Sequence, residues 1–274
     1  MSFLMMLIKF YLIVLLFRSV MSRQELYFNP LGKIVAKMTD PLFEKTLKIN
    51  KKTADTMTPA FVLAAAVLNG VIIFAFGGFG IVESVLYAVG DMLMFLMLFY
   101  IICIILGIFA GNMQMSYYAM YFNRLASFWV RGVRTVIPIK SNWIALFAVI
   151  FVYAFFTVLI GGVNYLSQLT SVITQGHADI FVAMRIAVKN GLLSLVWLLD
   201  VYIWVVIIRA LMSWVSPDPR NPVVQLLHSV TDPVMEPLRR VIPPLGPIDI
   251  TPMVFIFIIY FIKIMSLRLI GIML

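Results

Sequence analysis

Four charged residues lie inside long apolar runs: Lys9, Asp91, Asp200 and Lys263. A lone charge at the centre of a bilayer costs about 2.5–3.5 kcal/mol on insertion scales, so such a residue either finds a partner or serves a path for protons or ions. Two Lys and two Asp sum to zero charge. Lys9 stands nine residues before Arg18 and Asp200 nine before Arg209; Asp91 stands 21 before Asn112, as Asp200 does before Asn221. Lys263 lies as deep in its own run, counted from the opposite end. At a rise of about 1.5 Å per residue, all four fall near the middle of a roughly 30 Å hydrocarbon core. They read either as an ion or proton path or as a neutral cluster that fixes which span packs on which. The second reading is preferred because no further relay residues lead away from the four. At least one Lys–Asp pair is expected to meet inside the bundle.

Other chemistry is poorly represented. The only cysteine, Cys103, sits in an apolar run, which excludes an internal disulfide, and the two histidines, His177 and His228, are far apart. No phosphate-binding loop, dinucleotide fingerprint or HExxH zinc motif occurs. No catalytic residue, metal ligand or cofactor can be named, and the chain is expected not to be an enzyme. Arg18 and Arg209 end apolar runs, where snorkelling to lipid phosphate accounts for them. Arg239 and Arg240, set between Pro237 and Pro243-Pro244, are candidates for contact with anionic lipid or an acidic partner.

The elements that must position these residues follow from composition. Of 274 residues, 63% are hydrophobic and 12% charged, against roughly 45–50% and 25% in globular proteins. With a mean hydropathy of +1.04, the bilayer has to be the solvent. Six runs are long enough to span it: about 3–20, 59–80, 84–110, 142–163, 190–214 and 252–271. The expected fold is all-α, a polytopic membrane helical bundle. The net charge of +9 is assigned to loops on an anionic leaflet rather than to nucleic acid. Arg23, Lys33, Lys37, Lys45, Lys48, Lys51, Lys52, Arg124, Arg131, Arg134, Lys140, Arg220, Arg239 and Arg240 lie in three alternate connections, with Arg18 and Arg209 at span ends facing the same side; the opposite connections hold only Arg185 and Lys189. The positive-inside rule then places the three basic connections in the cytoplasm and both termini outside, in a bacterial inner membrane.

The chain also repeats itself. Arg18, Asn29-Pro30, Thr39-Asp40-Pro41 and Thr58-Pro59 match Arg209, Asn221-Pro222, Thr231-Asp232-Pro233 and Thr251-Pro252 in register. A worn middle copy keeps Asn112, Asn123, Arg131 and Asn142 but none of the prolines. Asn, Asp and Thr cap helix starts, and Pro fits the first helical position. Asn29, Asp40, Thr58, Asn221, Asp232 and Thr251 are therefore expected to be structural caps. Each module becomes a span, two short helices and a returning span. The six spans form three such hairpin modules, residues 1–80, 81–163 and 190–274. The short helices carry apolar stripes (Leu31, Ile34, Val35, Met38, Leu42; Leu226, Leu227, Val230, Val234, Leu238, Val241) with Lys33 and Lys37 off the first, and read equally as interfacial helices or as helices packed against their own spans.

The stretch SWVSPDPRNPVVQLLHSVTDPVMEPLRRVIPPLGPIDITP closely resembles the signature half-module of the YggT (YlmG-related) family of membrane proteins, and Phe17–Glu44 resembles its other copy. The first copy departs from the pattern in lacking PLRRVIPPLG, and the hairpin at about 84–163 is extra to the usual two modules. The resemblance implies a non-enzymatic protein linked to organisation or assembly of membrane complexes, and in bacteria to osmotic or ion tolerance. The expected function is an assembly factor or scaffold for another membrane complex, working beside anionic lipid headgroups. The alternative is a small-ion channel or transporter.

Overall fold

A computed structural model describes residues 2–42, 58–112, 119–136, 143–170, 178–215, 218, 221–242 and 249–274. Ten helices and no strand occur among them: α1 (Ser2–Val20), α2 (Arg23–Phe28), α3 (Pro30–Asp40), α4 (Thr58–Gly77), α5 (Ile81–Asn112), α6 (Ala119–Val136), α7 (Ile144–Thr170), α8 (Ile180–Val215), α9 (Pro222–Val241) and α10 (Thr251–Met273). Six of them, α1, α4, α5, α7, α8 and α10, are long and apolar enough to cross a membrane. The chain is an all-α polytopic bundle.

Two of the long helices start well before the apolar run that announces them or continue past it. α8 has 36 residues, about 54 Å at 1.5 Å per residue, and takes in Arg185 and Lys189, which charge alone assigns to a loop. No proline interrupts 180–215, and helix continues into the headgroup zone because nothing there stops it. α7 likewise runs on to Thr170. Between α4 and α5, Gly78 adopts a left-handed φ of 71°, a conformation that costs glycine nothing.

Compactness divides the chain into two units, Met1–Phe99 with Val158–Met184, and Tyr100–Thr157 with Arg185–Leu274. These boundaries fall inside α5, α7 and α8 and not between the three hairpins. In the first unit α1 packs on α3 and α4, and α2 packs on α3. Ser22 caps α2 in a full capping box with Glu25, and Asn29 caps α3 through Leu31 N–H with Pro30 at the first position. A Cβ on Gly32 would run into the Glu25 carbonyl, so α2 and α3 can touch this closely only with glycine there. Gly32, Val35, Ala36 and Thr39 are buried, while Ile34 and Met38 are exposed beside Lys33 and Lys37. The buried stripe of α3 is thus one step round from the one the apolar residues suggest, because α1 and α2 pack against the face that carries the small residues.

In the second unit Val206 of α8, Met235 of α9 and Phe255 and Ile259 of α10 form a core, with Tyr202, Val234 and Leu238 against it. The indole of Trp129 on α6 lies among the rings of Tyr100, Phe151, Phe155 and Phe156. Gly107 of α5 lets the backbone of Asn123 on α6 approach, a Cβ there lying 3.3 Å from Asn123 Cα. The sequence reading places a helix start at Asp232-Pro233, and here the structure differs. α9 is one continuous 20-residue helix. Pro233 has no N–H for the Ser229 carbonyl, but Val234, Met235 and Leu238 pack with residues of α8 and α10, and that packing holds the helix together.

Candidate functional site

The mid-span charges form two separate pairs, one in each unit. In the first, Lys9 Nζ of α1 donates to Asp91 Oδ1 of α5 at 2.7 Å, and Asn69 Nδ2 of α4 donates to Asp91 Oδ2 at 2.9 Å. Asn69 is fully buried, and its Oδ1 accepts no hydrogen bond. In the second, Lys263 Nζ of α10 donates to Asp200 Oδ1 of α8 at 2.6 Å. The order of charge is reversed between units: the helix nine residues ahead of the arginine carries Lys in one and Asp in the other.

Arg18 and Arg209 do not snorkel. Both are buried, 3% and 7% exposed. Arg18 donates to the Asp40 carboxylate at 2.7 Å and to the Thr39 hydroxyl. Arg209 donates to the Asp232 carboxylate, with His228 Nδ1 3.2 Å from the other oxygen. A second contact repeats as well. Tyr11 and Tyr202, each seven residues before its arginine, donate to the carbonyls of Met38 and Val230, 3.4 and 3.1 Å away. Thr39 and Thr231 are fully buried, and each hydroxyl donates to the carbonyl four residues back, Val35 and Leu227. In both units a span thus grips its amphipathic helix through an arginine–aspartate pair and a tyrosine on the carbonyl two residues earlier, Met38 with Asp40 or Val230 with Asp232; Arg18 also donates to Thr39, whereas Arg209 also donates to Met235 Sδ. The physical reason is the cost of burying an arginine: once α3 or α9 lies over the span end, the guanidinium needs a carboxylate at contact distance.

Asp40 and Asp232 are therefore not caps. Asp40 ends α3 and Asp232 lies inside α9; both are ion-pair acceptors, and Tyr27 also donates to Asp40 Oδ2 at 3.3 Å. Thr251 is not a cap either. It is the first residue of α10, and the Asp249 carboxylate accepts its N–H at 2.9 Å. Asn29 caps as expected, and the Asn221 carbonyl accepts the Gln225 N–H to begin α9. Thr58 opens α4; its side chain lies outside the described residues, as do Lys45, Lys48, Lys51, Lys52, Lys140, His177, Arg220 and Pro243-Pro244.

Arg239 pairs with Asp249 at 2.9 Å, and both members of the Arg239-Arg240 doublet are exposed. Burial pushes the Asp249 carboxyl up. Hydrogen bonds from Thr251 and the charge and hydrogen bond of Arg239 outweigh it and hold the group below the usual carboxylate range. Among the described residues no three His, Cys, Asp or Glu side chains cluster as a metal site.

The second unit's pair, clamp and returning span all fall within residues 190–270, and these match the CCB3/YggT family model. This stretch belongs to the CCB3/YggT family. The uncharacterised protein YggT of Escherichia coli K12 is 39% identical over 74 residues, 27% of this chain and 39% of that protein. A Vibrio alginolyticus protein encoded in the proC 3' region is 42% identical over 65 residues, 23% of this chain and 35% of its own. An uncharacterised Haemophilus influenzae protein is 35% identical over 68 residues, 25% of this chain and 37% of its own. The chain thus spans under two-fifths of the length of each of these YggT relatives. No solved structure matches.

Sequence reasoning singled out the mid-span charges but missed Asn69, Tyr11, Tyr202 and the acceptor roles of Thr39, Asp40 and Asp232. Two signals were available, the recurrence of Thr-Asp 21 or 22 residues after each buried arginine and of a tyrosine seven residues before it.

Proposed function

We propose that this YggT-family chain is a non-catalytic scaffold or assembly factor for another membrane complex, built by internal repetition. The observation that carries this reading is the clamp. Twice, a buried arginine paired with an aspartate and a tyrosine bonded to a nearby carbonyl fix an amphipathic helix to a span end. A helix held this way presents a fixed outer face. α3 offers Lys33 and Lys37 with Ile34 and Met38, and α9 offers Arg240; α6, outside the two clamps, adds exposed Arg131 and Arg134. Basic and apolar residues side by side suit anionic headgroups and the rim of a neighbouring complex. The charge asymmetry supports a bacterial inner-membrane location with the basic connections in the cytoplasm and both termini outside. The test is purification in several gentle detergents. A stoichiometric membrane-protein partner is expected, lost on charge reversal of Lys33 and Lys37; recovery of this chain free of any other protein in every detergent overturns the reading.

The alternative, a small-ion channel or transporter, draws on one feature: the buried Asn69 Oδ1 without a donor beside the Lys9–Asp91 pair. Proteoliposome flux above empty vesicles, abolished by Asp91→Asn, would favour it over the scaffold.

A further inference from the structure

The two mid-span carboxylates are not equally served. Asp91 has a donor on each oxygen, Lys9 and Asn69. Asp200 has Lys263 on Oδ1, and among the described residues nothing donates to its Oδ2, though the side chain is 35% exposed. Nine residues, about 14 Å, separate Asp200 from the buried Arg209 at the span end, so this open oxygen sits near mid-depth. Acyl chains have no hydrogen-bond donor to offer it. Its neighbours share the difficulty. Trp197 and Trp204 are 58% and 64% exposed, and among the described residues neither indole N–H donates a hydrogen bond. Indoles prefer the membrane–water interface, where the N–H finds water, not the middle of the core.

These residues form a line. Leu193, Trp197, Asp200, Trp204, Ile207 and Leu211 follow one another at alternating intervals of four and three, the spacing of a helix–helix seam with one polar residue at its centre. We propose that this seam of α8 is the interface of a homodimer, its occupant α8 of a second copy of this chain. The argument is charge complementarity. A two-fold axis along the membrane normal beside Asp200 and Lys263 generates an alternating square, Asp–Lys–Asp–Lys, in which each carboxylate meets its own lysine and its partner's. Asp200 Oδ2 gains its missing donor, and the opposed tryptophans are lifted out of lipid. The neutral pair is self-complementary, whereas a bare Asp or a bare Lys would repel its own image. The first unit needs no such partner, because Asn69 already completes its carboxylate.

The experiment uses the full chain in native membranes with Cys103→Ser. Leu193→Cys, Leu211→Cys and Phe261→Cys are oxidised separately; Phe261 is exposed on α10 but two residues, hence more than half a helical turn, from Lys263. The expected result is a disulfide-linked band at twice the monomer mass for Leu193→Cys and Leu211→Cys and at least tenfold less for Phe261→Cys. The purified parent chain in nanodiscs should have the dimer mass. Trp204→Ala should shift it to monomer with an unchanged helical spectrum, which separates loss of the seam from loss of the fold. A monomer mass for the parent, equal cross-linking at all three positions, or capture of a different protein at Leu193→Cys or Leu211→Cys would each overturn the proposal.

Discussion

Asp40 and Asp232 each accept an arginine that, from its place at the end of a span, belongs among lipid headgroups. The guanidinium turns inward because the amphipathic helix above it removes the water and phosphate it would otherwise use. Removing one partner strands the other: Arg209→Leu is expected to lower stability by about 3–5 kcal/mol, and Arg209→Leu with Asp232→Leu by less, as thermal melting in one detergent would register. Smaller loss in the single variant than in the double would show that the pair is not the source. At mid-depth the reversed order of charge between units implies that neutrality, not the identity of either residue, is required. Exchange of Lys9 and Asp91 should therefore restore yield lost in Lys9→Asp alone; no rescue would point to a chemical role for Asp91. At the mouth of α10 the depressed Asp249 carboxyl stabilises the fold once pH exceeds its unfolded value, about 3.9, and loses that contribution as pH falls through the lower folded value. Acid melting below about pH 4 should thus be less steep in Asp249→Asn than in the parent. The mid-span charges were legible because an apolar background makes them conspicuous. The clamp was not, because an arginine at a span end has an adequate partner in phosphate, and only the folding back of α3 and α9 brings Asp40 and Asp232 to it.

Helix starts divide into those that local chemistry decides and those that packing overrules. Asn29-Pro30 starts α3, and Asn29→Leu is expected to cost about 0.5–2 kcal/mol. Asp232-Pro233 is the same local signal with the opposite result, since Thr231, Val234 and Met235 hold α9 continuous against the span. A proline inside a helix is unfavourable by roughly 3 kcal/mol against alanine, so Pro233→Ala should raise the melting temperature. A lowered one would mean that Pro233 does start a separate helix. Gly32 is the counterpart in the first unit: Gly32→Ala must push α2 off α3, because its methyl meets backbone and no flexible side chain. The six spans were readable from apolar run length, the amphipathic helices between them only from their cap signals and stripes. Element ends were not, because helix continues through the headgroup zone wherever proline is absent, as in α7 and α8.

For the whole molecule, the length of α8 bears directly on topology. With Asp200 at mid-depth, Lys189 lies 11 residues away, about 16 Å, and Arg185 lies 15 away, about 22 Å. The first sits at the edge of a roughly 30 Å core and the second beyond it. Arg185 there donates twice to the Leu274 carbonyl at the far end of α10, so α8 and α10 leave the membrane together. The two basic residues counted against the positive-inside assignment are thus an interfacial anchor and a helix-end contact, and neither competes with the basic helices α3, α6 and α9 for the cytoplasmic side. Single cysteines in a Cys103→Ser background test the assignment. Asn221→Cys, exposed at the start of α9, and Asp179→Cys, exposed just before α8, are separated by one crossing. An impermeant thiol reagent applied to intact cells should label Asp179→Cys, and Asn221→Cys only after the membrane is opened. Labelling of Asn221→Cys from outside would invert the molecule, put its basic faces on the wrong leaflet for anionic lipid, and remove the physical basis for the headgroup contacts of α3 and α9.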